Sequence, residues 1–239
     1  MRILYGFVLA ISLTCAAAWP AYAREETAAA STPDLAAICA QKACRKGGFN
    51  EAVFFDETHL KDIPVNASPY VTDEGEVLIF PGETFAVSYT VKDGILSSPT
   101  YYRSYVPEFS AGVDSESSDG TSAHLTDNPD NASFPQLPST GGDVDVSALP
   151  ANTVVISYGQ RDHSGAMQMT IRSNIQGVLK FDARMMIVFA DKPGYQDAPT
   201  STCPIAQNHT DFEEWPKPLG PTFLSNARLL PSDAKMVCE

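Results

Sequence analysis

From residue 49 to residue 230, apolar and polar positions follow one another with a period close to two. This is the pattern of strands that show one face to a core and the other to water. It is plainest at 84–91, where Phe85, Val87, Tyr89 and Val91 alternate with Thr84, Ala86, Ser88 and Thr90. The run 76–80 leads into it across Pro81-Gly82, and Lys92-Asp93-Gly94 turns out of it. Residues 52–56 and 100–106 read as further strands. A second block starts with the β-branched run 153–158, followed by a hairpin loop at 159–165. Met167, Met169 and Ile171 then alternate with Gln168, Thr170 and Arg172. After a turn at 174–177, the long segment 178–190 sets Leu179, Phe181, Ala183, Met185, Ile187 and Phe189 on one face. Lys180, Asp182 and Arg184 lie on the other. A last strand falls at 222–230. Short strands separated by Gly/Pro turns predict an all-β fold, specifically a β-sandwich of antiparallel strands.

Two stretches break the period. The first is a short N-terminal helix: Ser31 or Thr32 caps it, Pro33 occupies its first turn, and Asp34 lies near its positive end. Lys42, Arg45 and Lys46 lie toward the other end, Gly47-Gly48 stops it, and Leu35, Ile38 and Cys39 share its apolar face. The second is 104–160, which holds no Lys or Arg but eight acids, among much Ser, Gly, Pro and Asn. A polar connection of that length is either functional or disordered. The basic residues Arg161, Arg172, Lys180, Arg184 and Lys192 follow it and offer a sheet face on which it could lie.

The first 23 residues change the picture most. Arg2, an uncharged apolar run and Ala21-Tyr22-Ala23 make a secretory signal peptide. The run is shorter than the roughly 20 residues a span needs, so no transmembrane anchor is expected. The expected organisation is signal peptide 1–23, flexible leader 24–30, and one sandwich domain 31–239 with a long acidic loop around 107–150. Cleavage leaves about 216 residues, enough for a substantial core. The exported chain belongs in a periplasm or outside the cell; the compact signal suits a bacterium, while Asn66, Asn131 and Asn208 start sequons relevant only to a eukaryotic pathway. The formal net charge of -13 disfavours nucleic acid and anionic lipid as partners.

Export also gives the cysteines a role. Cys15 leaves with the signal, and Cys39, Cys44, Cys203 and Cys238 form two disulfides. Sequential pairing is the simplest of the three connectivities. It requires the helix to end early, because residues five apart in a helix are separated by about 7.5 Å of rise and roughly 140° of rotation. Otherwise the two amino-terminal cysteines pair with the two carboxy-terminal ones.

Several constellations bear on chemistry. Asp114, Glu116 and Asp119, with Asp143 and Asp145 after Gly141-Gly142, are candidate Ca2+ ligands. The first group fails the EF-hand pattern, since its fifth position is Ser118 and its sixth is Asp119. His163, Met167 and Met169 on one hairpin, near Met185 and Met186, are a candidate Cu(I) set, although the methionines share faces with core residues. Zinc spacing is lacking. Asp162-His163-Ser164 cannot form a catalytic triad on one tight turn, and no Gly-x-Ser-x-Gly occurs. Thr210 with Glu213 reads as a capping box on a one-turn helix, and Trp215-Pro216-Lys217-Pro218 as an extended strap packed on the sandwich. Tyr101, Tyr102, Arg103 and Tyr105 form a candidate binding platform.

These readings favour an exported β-sandwich that binds or assembles with a protein or glycan ligand. The sequence requires no cofactor and singles out no catalytic residue. A periplasmic metal handler using the Ca2+ or Cu(I) set is the second reading, and a hydrolase with a dispersed site is the third.

Overall fold

The structure is a computed structural model that describes residues 35–106, 144–161, 163–231 and 233–238. The chain starts with helix α1 (Leu35–Cys39), then strands β1 (Cys44–Arg45), β2 (Phe49–Phe54), β3 (Leu60–Val65), β4 (Ser68–Pro69) and β5 (Val77–Ile79). There follow β6 (Glu83–Ser88), β7 (Val91–Lys92), β8 (Ile95–Leu96) and β9 (Thr100–Val106). After a 3-10 turn (Val146–Ala148) come β10 (Thr153–Gln160), β11 (Met167–Ser173), β12 (Val178–Val188) and β13 (Tyr195–Ser201). The last strands are β14 (Ile205–Ala206), β15 (Thr210–Trp215) and β16 (Leu219–Leu230).

Two antiparallel sheets form the body. One runs β15-β11-β10-β6-β9, and the other β13-β12-β16-β5 with β14 beside β12. Alternation places Val154, Ile156 and Tyr158 of β10 on the inward face, opposite Leu179, Phe181 and Ala183 of β12. All six belong to one buried apolar cluster. Residues from both sheets in a single core are the mark of a sandwich, so the all-β expectation holds.

The helix is shorter than its sequence punctuation implied. It stops at Cys39, and Cys44 already lies on β1. The chain bends at 40–43, which lets Cys39 and Cys44 pair with a Cα separation of 5.4 Å; Cys203 pairs with Cys238. Pairing is therefore sequential. A second correction concerns 210–215. This segment is strand β15, paired with β11 along its whole length, and Thr210 with Glu213 is no capping box. The neighbouring edge of β11 offers a full hydrogen-bond ladder, which outweighs the local preference of a Thr-x-x-Glu run.

Arg45 anchors the amino-terminal segment. Its side chain is fully enclosed, and every N–H of the guanidinium finds an acceptor. Nε and Nη2 donate to the two oxygens of Glu83 at 2.6 and 2.8 Å, Nη2 also to Leu78 O, and Nη1 to Pro69 O and Ser68 Oγ. Tyr70 and Phe80 cover the guanidinium, with ring centroids at 4.2 and 4.9 Å. Phe80 N donates to Glu83 Oε2, completing the carboxylate's shell. On the opposite flank, the buried amide of Gln160 acts as an extra strand residue: Phe54 N donates to Oε1 and Nε2 donates to Phe54 O, fastening β2 to the end of β10.

Gly47 and Gly48 serve a backbone crossing and not a helix stop. A Cβ on Gly47 would lie 2.0 Å from Ala67 N, and Gly48 adopts φ +93° while donating to Val65 O. Gly47→Ala is therefore expected to destabilise the fold by about 2 kcal/mol. Urea unfolding measures this, and an unchanged midpoint would show that the two chain segments do not approach so closely.

The far end of the acidic loop lies over the outer face of the first sheet. Val144, Val146 and Leu149 pack on Ala86, Val155 and Tyr105. Asn174 Nδ2 donates to the carbonyls of Val146, Leu149 and Pro150, and Arg172 Nη1 to that of Val144. No helix among the described residues is long and apolar enough to cross a membrane.

Candidate ligand cleft

Three short segments converge beside the start of β9. The first is the turn 41–43, held inside the Cys39–Cys44 loop. The second is the bend 71–75, and the third is 98–101, leading into β9. Between them lies a cleft of about 340 Å³. Its walls are fixed from below. Tyr70 N donates to Ala43 O, and Glu76 N and Gly75 N donate to Thr72 Oγ1 and O. Lys42 crosses the cleft: Nζ donates to Thr72 O at 2.8 Å and pairs with Asp73 at 2.7 Å. The Asp73 side chain is mostly exposed, so the pair can exchange partners with a polar ligand at low cost.

Tyr101 forms the aromatic wall. Its ring stacks on Tyr70 with centroids 4.4 Å apart, and its hydroxyl hydrogen-bonds with Ser104 Oγ, which donates in turn to Tyr70 OH. The platform expected at 101–105 is split by a bulge. Val87 faces Tyr101 and Ala86 faces Arg103, so Tyr102 is the extra residue between them. Tyr101 therefore turns to the core side and the cleft. Arg103 turns to the outer face, where its guanidinium lies 4.5 Å from the Tyr105 ring centroid and 5.6 Å from that of Tyr102.

Asp114, Glu116, Asp119 and Asp143 lie outside the described residues. Asp145 caps the 3-10 turn: its Oδ1 accepts from Ser147 N and Oγ, and these bonds hold its carboxyl below the usual aspartate value. Met167 and Met169 are fully enclosed in the sandwich core, whereas His163 stacks on Phe54 at 4.5 Å. Trp215, the start of the expected strap, closes β15 and meets Tyr158 edge-on in the core.

One cluster escaped the sequence reading. On β15, Asp211 and Glu213 share the inward face with the buried Trp215, and their pairing partners on β11 are Ile171 and Met169. Carboxylate oxygens of the two lie within 4.8 Å of each other and of Cys203 Sγ. That sulfur is bonded to Cys238, so it offers no thiolate to a metal. Cys203 N donates to Glu213 Oε1. Burial and the Asp211 carboxyl push Glu213 up to about 7, although Cys203 N–H and Lys180 pull it down; burial also raises Asp211. The sequence held no period-two signal for it: in 210–215 the two apolar residues lie on opposite faces, Phe212 exposed and Trp215 buried, with the carboxylates on the Trp215 side.

No protein family, curated protein or solved structure matches the chain.

Proposed function

We propose that this chain is an exported β-sandwich binding module and that it takes a small polar ligand, a saccharide or the end of a peptide, in the Lys42–Asp73–Tyr101 cleft. The observation that carries this reading is one preformed concavity that combines an ion pair, hydroxyls at Thr72, Ser98 and Thr100, and an aromatic wall. Such mixed linings orient ligands through a few polar groups while an apolar face supplies contact area, and the volume falls at the lower end for small-ligand clefts. The two disulfides and the absence of a membrane-crossing helix among the described residues are compatible with export. The Cys39–Cys44 loop has a function in this reading: it holds one wall of the cleft in place before ligand arrives.

The test is to titrate isotope-labelled protein with neutral oligosaccharides, acidic oligosaccharides and short peptides while following backbone amide shifts. Shifts are expected to gather at Lys42, Asp73, Thr100 and Tyr101. Lys42→Met and Asp73→Ala should each weaken binding at least about tenfold, which corresponds to about 1.4 kcal/mol. Silence from all three ligand classes at millimolar concentration would end the reading, as would a ligand that ignores both substitutions.

A further inference from the structure

The open edge of the first sheet carries a second arrangement that the cleft does not use. An edge strand normally turns charge toward solvent, yet β15 directs Asp211 and Glu213 inward, beside Trp215 and over Met169 and Ile171. The connection running through Cys203 into β14 closes over them. It is held there by the Cys203–Cys238 bond, by Thr202, whose Oγ1 accepts from Phe181 N and donates to Phe181 O, by the pairing of Ile205 and Ala206 with the start of β12, and by the Cys203 N–H donated to Glu213 Oε1.

Polar satisfaction at the pair is incomplete in a telling way. Asp211 Oδ2 is enclosed and has no hydrogen-bond donor among the described residues. A proton held between the two carboxyl groups supplies that donor; without it, two negative charges and an unpaired acceptor share one confined space. The surroundings offer little relief. β11 and β14 present apolar side chains, Met169, Ile171 and Ile205. Among the described residues Lys180 of β12 is the cation that acts on Glu213, and it also acts on Asp182. Asp182 is occupied with Asn226 and Arg228, and Arg172 is turned away to Thr210.

We propose that Asp211 and Glu213 form a proton-sharing latch that holds the Cys203 connection on the sandwich edge when protonated and releases it when the proton leaves. No other co-reactant is involved: the proton passes to solvent, and water reaches the charged pair as the chain loosens at Cys203, between the fixed residues Thr202 and Ile205. This device is independent of the cleft and of the ligand proposed there.

The sign follows from linkage. The ordinary glutamate value is 4.5, and Glu213 is raised to about 7 in the folded chain. The folded state therefore holds a proton that the unfolded state has already lost. The advantage of the closed latch is complete at low pH, declines as pH climbs above the ordinary value, and is gone once pH passes about 7.

Hydrogen exchange at the Cys203 amide tests the latch, read as a protection factor so that intrinsic pH dependence cancels. Between about pH 5 and about pH 8 the protection should fall at least about threefold in the native chain, while amides in the centre of β10 stay constant. Glu213→Gln keeps an acceptor for Cys203 N–H and removes the charge, so its protection should be high and flat across the same range. Asp211→Asn should flatten the profile as well. A native profile that is already flat overturns the proposal, and so does a fall of equal size in both variants.

Discussion

Removing either member of the Arg45–Glu83 pair should cost about 3–5 kcal/mol, the range for leaving one charge of a buried pair without its partner. For a chain of this size that is a fall in melting temperature on the order of 10 °C. The magnitude comes from enclosure: the side chains are 0% and 2% exposed, so water cannot replace a lost partner. Arg45→Ala would strand the Glu83 carboxylate and leave the carbonyls of Pro69 and Leu78 without their donors. Arg45→Lys should fail almost as badly, because an ammonium cannot reproduce the planar fork that meets both carboxylate oxygens. Replacing both residues by apolar ones of similar volume should recover part of the loss, though not all of it, since the two carbonyls and Phe80 N remain to be satisfied. Urea unfolding of the two single variants and the double variant measures the coupling. A single-variant loss below about 1 kcal/mol would place the pair among solvent-screened surface bridges and sink the argument.

Nothing in the local sequence pointed to this pair. Arg45 was legible as a basic residue near a helix end, a reasonable inference where Lys42 and Lys46 flank it. Its partner lies 38 residues away across four strands, and only the sheet topology brings the two together. What could be read was whatever depends on short-range period. The alternation of 84–91, 167–172 and 178–190 is imposed by the pleat, so it named the inward face before the strands had partners. Asp211 and Glu213 were hidden for the opposite reason. Their segment is compatible with a helix cap or with an edge strand, and the choice is made by the free edge of β11, which a window of six residues does not contain. The bulge at Tyr102 is of the same kind. Four aromatic and basic residues within 101–105 suggested one platform, but the strand's pairing with β6 distributes them over two faces.

The two disulfides should differ sharply when removed, and the longer loop should matter more to stability. Cys203 and Cys238 are 35 residues apart, while Cys39 and Cys44 are separated by five. In the chain-entropy account, a crosslink stabilises by restricting the unfolded chain. Losing the long loop then costs about 4 kcal/mol and losing the short one about 2 kcal/mol. The native state widens the gap, because Arg45 already fixes the segment that contains Cys44, through acceptors on Ser68, Pro69, Leu78 and Glu83. The residues before Cys238 have no comparable anchor; Lys235, Met236 and Val237 are exposed. Paired Cys→Ala substitutions at each bridge, unfolded in urea, compare the two directly. Ligand binding should rank them in reverse. The 39–44 loop holds Lys42 and Gln41 against the cleft, so its removal should weaken any cleft ligand, while loss of the 203–238 bridge should leave that affinity unchanged. If the short bridge proved the larger stabiliser, the amino-terminal segment would be held mainly by its covalent bond, and Arg45 would not be the anchor inferred here.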